Sequence, residues 1–293
     1  MVSDDGRWAL SLIAMLGSVF SPHYFAARAA GGGVADPLAH AAINVALYTP
    51  RGSSWVLTER GERATRRSEG ELTLGPSALR WAGSTLEVDF DERTAPFGGR
   101  LAGTVRLVPS ARGGDPVTLD AAGRHRWQPI APSARAEVEI RHPSPLRFGG
   151  AAYLDANGGD EPLEDAFVGW TWSRVTSGGR AAVTYDVERR DGSRLLVTRA
   201  FEPGGRITSG FPVEAVAAPP TGWRMPRVVH GDPGAAPRIT RTLEDTPFYA
   251  RSLVETRLLG RQCQGTHEVL SLDRFRTRAV QLMLHFRTRR ERG

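Results

Sequence analysis

The chain has 293 residues, 40% hydrophobic and 24% charged, a balance that suits an ordinary globular protein long enough for two domains. Every basic residue is arginine, which excludes a Schiff-base lysine and a P-loop lysine. The net charge of +6 is interleaved with Asp and Glu along the chain, which argues against a nucleic-acid-binding face.

Trp8 to Phe20 is an apolar stretch too short to span a bilayer. It follows Asp4-Asp5-Gly6-Arg7, which is not the basic start of a secretory signal. It is expected to form a buried strand or packed segment of a cytoplasmic protein. Phe25 to Ala30 is a short helix candidate. Ile43 to Tyr48, Glu71 to Leu74, Thr85 to Phe90 and Thr104 to Val108 alternate or are β-branched, and Gly and Pro punctuate them, as short strands require. The Pro-rich stretch Pro129 to Pro145 marks an expected junction, with one β domain over residues 1–145 and a second over 146–293. Strands follow at Ala181 to Val187 and Arg194 to Phe201, with Asp191-Gly192 between them as a hairpin signal. Pro212 to Pro237 is expected to be loop, and Leu253 to Leu258 a further strand. Leu270 to Met283 is a helix candidate placing Leu272, Phe275, Ala279, Val280 and Met283 near one face. The tail residues Arg287, Arg289, Arg290 and Arg292 are expected to be solvated, with anionic lipid as the alternative contact. The single cysteine, Cys263, excludes an intrachain disulfide and suits a core position. The pattern as a whole is all-β, sandwich or barrel, with few short helices.

The sequence lacks GxGxxG after a strand, GxxxxGK[ST], GxSxG and HExxH, and its seven histidines are dispersed. Neither a metal nor a nucleotide cofactor is expected. Uncommon residues concentrate in the middle of the chain instead. Within Gly123 to Pro132, His125 and Trp127 are two residues apart; Tyr153 and Asp155 repeat that spacing, as do Trp170 and Trp172. On an extended chain each pair points to one side, so His, Trp, Tyr and Asp could enter one cavity. The same residues also suit plain roles. Trp and Tyr on a strand face are usually core, and Asp before Asn-Gly usually forms a turn.

HRWQPIAPSAR, YLDANGGDEPLEDAFVGWTWSR and THEVLSLDRFRTRAVQLMLHFR resemble blocks of the carotenoid 1,2-hydratases, also called hydroxyneurosporene synthases. GSVFSPHY, INVALY and GPSALRW add weaker matches, and together they reach from about Gly17 to Phe286. Val269, Ala279 and His285 depart from that family's pattern, where Ser, Trp and Pro are common. The resemblance implies two lipocalin-like β-barrel domains and an active site that uses no cofactor. It also implies catalytic roles for His125, Trp127, Tyr153 and Asp155, by match to the family's HxW and YxD.

The implied reaction adds water to the terminal C1–C2 double bond of an acyclic carotenoid such as neurosporene or lycopene. Asp155 is then the expected proton donor, Trp127 and Tyr153 the shelter for a tertiary cation, and His125 the group that orients the acid or receives a proton from water. The reversed assignment, His125 as acid, stays open. Trp170 and Trp172 are candidate substrate-lining residues. Such a substrate implies peripheral contact with the inner face of the membrane, through the N-terminal apolar segment or the basic tail, and other enzymes of the same pathway as neighbours. The competing readings are a lipocalin-like carrier that holds a lipid unchanged, and another cation enzyme on the same scaffold.

Overall fold

The computed structural model describes residues 1–291. Strands dominate it. In chain order the first are β1 (Val2–Ser3), β2 (Ala9–Met15), β3 (Ala41–Thr49), β4 (Gly52–Arg60), β5 (Thr65–Arg67), β6 (Glu71–Leu74), β7 (Ser77–Ala82), β8 (Thr85–Arg93) and β9 (Arg100–Ala111). The middle of the chain gives β10 (Val117–Thr118), β11 (His125–His142), β12 (Leu146–Gly159), β13 (Phe167–Ser177), β14 (Arg180–Arg189), β15 (Arg194–Phe201) and β16 (Ile207–Ser209). The remainder are β17 (Glu214–Ala218), β18 (Arg227–Gly231), β19 (Arg238–Asp245), β20 (Tyr249–Leu258), β21 (Arg261–Ser271) and β22 (Arg289–Glu291). Among the described residues four α-helices interrupt them, α1 (Pro22–Ala30), α2 (Leu163–Ala166), α3 (Leu272–Phe275) and α4 (Arg278–His285), with short 3-10 turns at Leu38–His40 and Glu62–Ala64.

The chain forms two compact units, the first from residues 1–109, 134–153 and 281–293 and the second from 110–133 and 154–280. Strands β11 and β12 therefore change unit along their length. Strand order across the larger sheet is β22-β4-β3-β2-β1-β12-β11-β9-β8-β7-β6-β5, with β10 on β11. In the first unit β3 is buried along almost its whole length, as expected of the run Ala41 to Tyr48 between two neighbours. The apolar segment after Trp8 is β2, half-buried and paired with β3. Helix α1 begins where Ser21 accepts from the His23 N–H at 3.1 Å and Pro22 pre-sets the first turn. Arg60, itself buried, donates to both oxygens of buried Glu92 at 2.9 Å, so the charge it carries inside this unit is matched.

The second unit is a sheet of order β16-β15-β14-β13-β21-β20-β19, with the hairpin β17–β18 beside it. A cluster of Val175, Ala182, Ala200, Val229, Val254 and Leu258 packs hairpin against sheet, and half-buried Cys263 borders it. Asp191-Gly192 does connect β14 to β15; Gly192 takes φ 83°, a conformation glycine adopts without steric cost.

Four local expectations change. Pro129 and Pro132 lie inside β11, and the residues at 113–116, which approach it at Pro129 and Ile130, are irregular. There the chain crosses itself so closely that a Cβ on Gly113 would lie on the Pro129 carbonyl. Pro212 to Pro237 is not all loop, because it contains β17 and β18. Leu270 and Ser271 end β21, and the expected helix is two short ones in which Leu272, Phe275 and Val280 are buried but Ala279 and Met283 are exposed. The basic tail is engaged within its own unit. Arg287 lies 4.1 Å over the Trp55 ring, Arg290 pairs with Glu59, and Arg289 belongs to β22 beside β4, while Arg292 lies outside the described residues. No helix among the described residues is long and apolar enough to cross a membrane.

Candidate active site

The start of β11 is fixed from below by Asp120, whose carboxylate accepts from the backbone N–H of His125 at 2.6 Å and of Arg124 at 3.2 Å. From that fixed start, strand alternation puts His125 and Trp127 on the same side of β11, and both are buried. Trp127 donates its indole N–H to Asp155 Oδ2 at 2.9 Å. Of the residues the sequence singled out, these two meet most directly.

Three further rings complete the surroundings. Tyr185 meets Trp127 edge-on with centroids 5.9 Å apart, and Trp170 meets Tyr185 at 6.0 Å. Phe167 touches Trp170 at 6.1 Å and His125 at 4.9 Å, again edge to face. The rings thus run from His125 through Phe167, Trp170 and Tyr185 to Trp127, with the Asp155 carboxylate at the Trp127 end. Edge-to-face contacts of this kind hold ring orientations fixed.

Sheet register explains which other side chains share this side. Tyr185 pairs with Trp172, Trp172 with Glu268, and Glu268 with Arg251. Directly opposed residues of antiparallel strands project to one face, so Tyr185, Trp172, Glu268 and Arg251 form a row across β14, β13, β21 and β20. Arg251 donates to Glu268 at 2.7 Å, and Arg174, two residues beyond Trp172 on the same face, donates to the Pro132 carbonyl of β11. Trp172 is buried and Trp170 half-buried.

The opposite face of the same strands carries the apolar cluster under the hairpin together with buried polar pairs. His267 and Ser173 are paired there, with Ser173 Oγ 3.0 Å from His267 Nδ1, and Arg227 of β18 donates to Ser252. His230 lies 3.3 Å from Asp186. His267 is next to Glu268 in the sequence but faces away from the aromatic ring system.

Tyr153 is half-buried and is the last residue of the first unit's stretch of β12, two positions before Asp155. Glu161 is bonded to Arg124 at 2.6 Å and lies 3.7 Å from His125 Nε2. Gly159 packs directly on the His125 ring; a Cβ there would come within 2.2 Å of Nδ1.

Electrostatics divide these groups. Burial pushes the His125 imidazole below its ordinary value, against the upward pull of Asp120 and Glu161, so it is held neutral near pH 7. Burial raises the Tyr185 phenol well above its usual range, and the charges of Asp155 and Glu268 add to that, so the hydroxyl stays protonated and can donate. Among the described residues no three His, Cys, Asp or Glu side chains converge as a metal-ligand set. Tyr185, Phe167 and the Arg251–Glu268 pair went unassigned in the sequence. Their only signal there is strand alternation, which becomes informative once register is known.

The chain matches the family model for the carotenoid hydratase CrtC over residues 12–293. It is 48% identical over 293 residues to the acyclic carotenoid 1,2-hydratase of Thiocapsa roseopersicina, covering all of this chain and 72% of that protein. It is 46% identical to the acyclic carotenoid 1,2-hydratase of Rubrivivax gelatinosus, over 98% of this chain and 70% of that one. Among solved structures it resembles an AttH-type protein of Nitrosomonas europaea with a TM-score of 0.62 at 14% identity, over 92% of this chain and 88% of that one. That likeness shows the fold alone, which is lipocalin-like and rich in strand. The match along almost the whole chain, rather than any single motif, makes this protein a member of the CrtC carotenoid hydratase family.

Proposed function

We propose that this chain adds water across the terminal C1–C2 double bond of an acyclic carotenoid, such as neurosporene or lycopene, to give a tertiary alcohol. Membership of the hydratase family and the names of its relatives support the reaction. The observation that carries the mechanism is the Trp127–Asp155 hydrogen bond at the end of a run of edge-to-face rings.

An isolated trisubstituted alkene is a weak base, so hydration needs a carboxylic acid at the reacting carbon and protection for the cation that follows. Asp155 is the acid in this reading. Protonation of C2 leaves a carboxylate, which the Trp127 N–H stabilises as its charge develops. The positive charge appears on the gem-dimethyl carbon C1. The faces of Trp127 and Tyr153 shelter it there, and cation–π contact of this kind reaches about 2 kcal/mol when desolvated. Trp170 and Trp172 line the apolar path of the polyene. His125, neutral and fixed by Phe167 and Gly159, orients the acid indirectly, by holding the start of the strand that carries Trp127; its lowered basicity supports that role over that of proton donor. The reaction as written draws on protein side chains and water alone.

A substrate dissolved in the bilayer places the protein peripherally at the inner face of the membrane, where other enzymes of the pathway are its neighbours. The deciding experiment expresses the chain in a host that accumulates neurosporene or lycopene and analyses the extracted pigment. A more polar product, heavier by one water and lost in Asp155→Asn, supports the reading. Pigment that co-purifies unchanged with the protein would establish a carrier instead.

A further inference from the structure

Hydration needs two proton transfers, and Asp155 accounts for one. After water attacks C1, the oxygen carries an extra proton that must leave. His125 is a poor recipient by position, since its ring is enclosed by Phe167, Gly159 and the neighbourhood of Glu161.

The row described above contains a second carboxylate. Glu268 sits two positions from Tyr185 along that row, with Trp172 between them. Tyr185 contacts Trp127, which holds Asp155, and both the Asp155 and Glu268 carboxyl groups lie near enough to Tyr185 to raise its phenol whenever they are ionised. The two carboxylates therefore flank one aromatic wall within the second unit. Arg251 fixes Glu268 at 2.7 Å, yet the Glu268 side chain retains 21% of its exposure, enough for a water molecule to reach it.

We propose that Glu268, held by Arg251, binds the attacking water and takes its proton. This rests on the hydration reading. The C1=C2 π pair forms the C2–H bond as the Asp155 O–H bond breaks, leaving C1 cationic and Asp155 ionised. A lone pair of water forms the C1–O bond, and the resulting oxonium passes one proton to Glu268. The proton returns from Glu268 to Asp155 through water, so the net change is one water added. A protonated tertiary alcohol is a very strong acid, so even a carboxylate paired with a guanidinium is basic enough to receive its proton.

The two steps separate in D2O. Purified protein is given neurosporene in detergent micelles, and both alcohol and recovered substrate are analysed for deuterium. Glu268→Gln still protonates the alkene through Asp155, but the cation then reverts. Alcohol formation falls by about 100-fold or more, as for loss of a general base, while recovered substrate gains deuterium at C2. Glu268→Asp, which keeps a carboxylate, forms alcohol faster than Glu268→Gln. Asp155→Asn gives neither alcohol nor deuterated substrate. Wild-type alcohol output from Glu268→Gln would overturn the proposal. So would a folded Glu268→Gln that neither hydrates nor exchanges, or a Glu268→Asp no faster than the amide. If the wild-type protein itself forms no alcohol, the hydration reading fails, independently of Glu268.

Discussion

Trp127→Phe is the sharpest probe of the site because it removes one hydrogen bond and keeps an aromatic ring. The indole N–H is 2.9 Å from Asp155 Oδ2, and Trp127 is fully buried, so no solvent donor stands ready to replace it. A hydrogen bond to a charged partner contributes about 1.5–3 kcal/mol. Asp155 becomes a carboxylate only as it gives up its proton, so most of that contribution is made in the transition state. At about 1.4 kcal/mol per decade, kcat falls roughly 10- to 100-fold. KM changes little, because the neutral acid gains less from the donor. The smaller ring also leaves a cavity, which costs stability by about 1–3 kcal/mol. The assay is steady-state hydration of neurosporene in micelles, with thermal unfolding of the variant measured in parallel. A correctly folded Trp127→Phe with wild-type kcat would refute the view that this bond serves proton delivery. A loss confined to KM would assign Trp127 to substrate binding alone.

Two other outcomes follow from the same geometry. Gly159→Ala places a Cβ within 2.2 Å of His125 Nδ1, so the ring must shift; activity drops and stability falls by about 1–3 kcal/mol, which a melt and a turnover assay on one preparation would check. His267 is fully buried with an imidazole pushed down to about 3, chiefly by burial and then by Arg227 and His230. The unfolded imidazole binds a proton below about pH 6.5 while the folded one does not, so stability is complete above that pH and declines as pH falls toward 3. Between pH 7 and 5 this one site costs about 2 kcal/mol, and urea unfolding of wild type against His267→Gln should show a difference of that size; parallel pH curves would contradict it.

Much of this molecule is written locally. Alternation around Thr85 calls for a strand that buries one side, and the short apolar, β-branched runs at Ile43 and Ala181 call for strands buried on both. Asp191-Gly192 announces its hairpin, and the spacing of His125 with Trp127 and of Tyr153 with Asp155 announces that each pair shares a side. Ser21-Pro22 opens a helix by itself. These features depend on neighbours in the chain, and the chain supplies them.

The ring from His125 to Trp127 depends instead on register. Tyr185 faces Trp127 because β14 pairs with β13 at Trp172, and Glu268 joins the row because β21 pairs at the same residue. Trp172 and Glu268 are far apart in the chain, and a slip of one position in either pairing would turn every side chain to the other face. His267 and Glu268 make the point most plainly. As adjacent residues of one strand they must face opposite ways, which the sequence determines. That Glu268 meets the aromatic wall and His267 the structural interior was decided only by tertiary pairing, because both faces of this sheet are covered and the chain alone does not say by what.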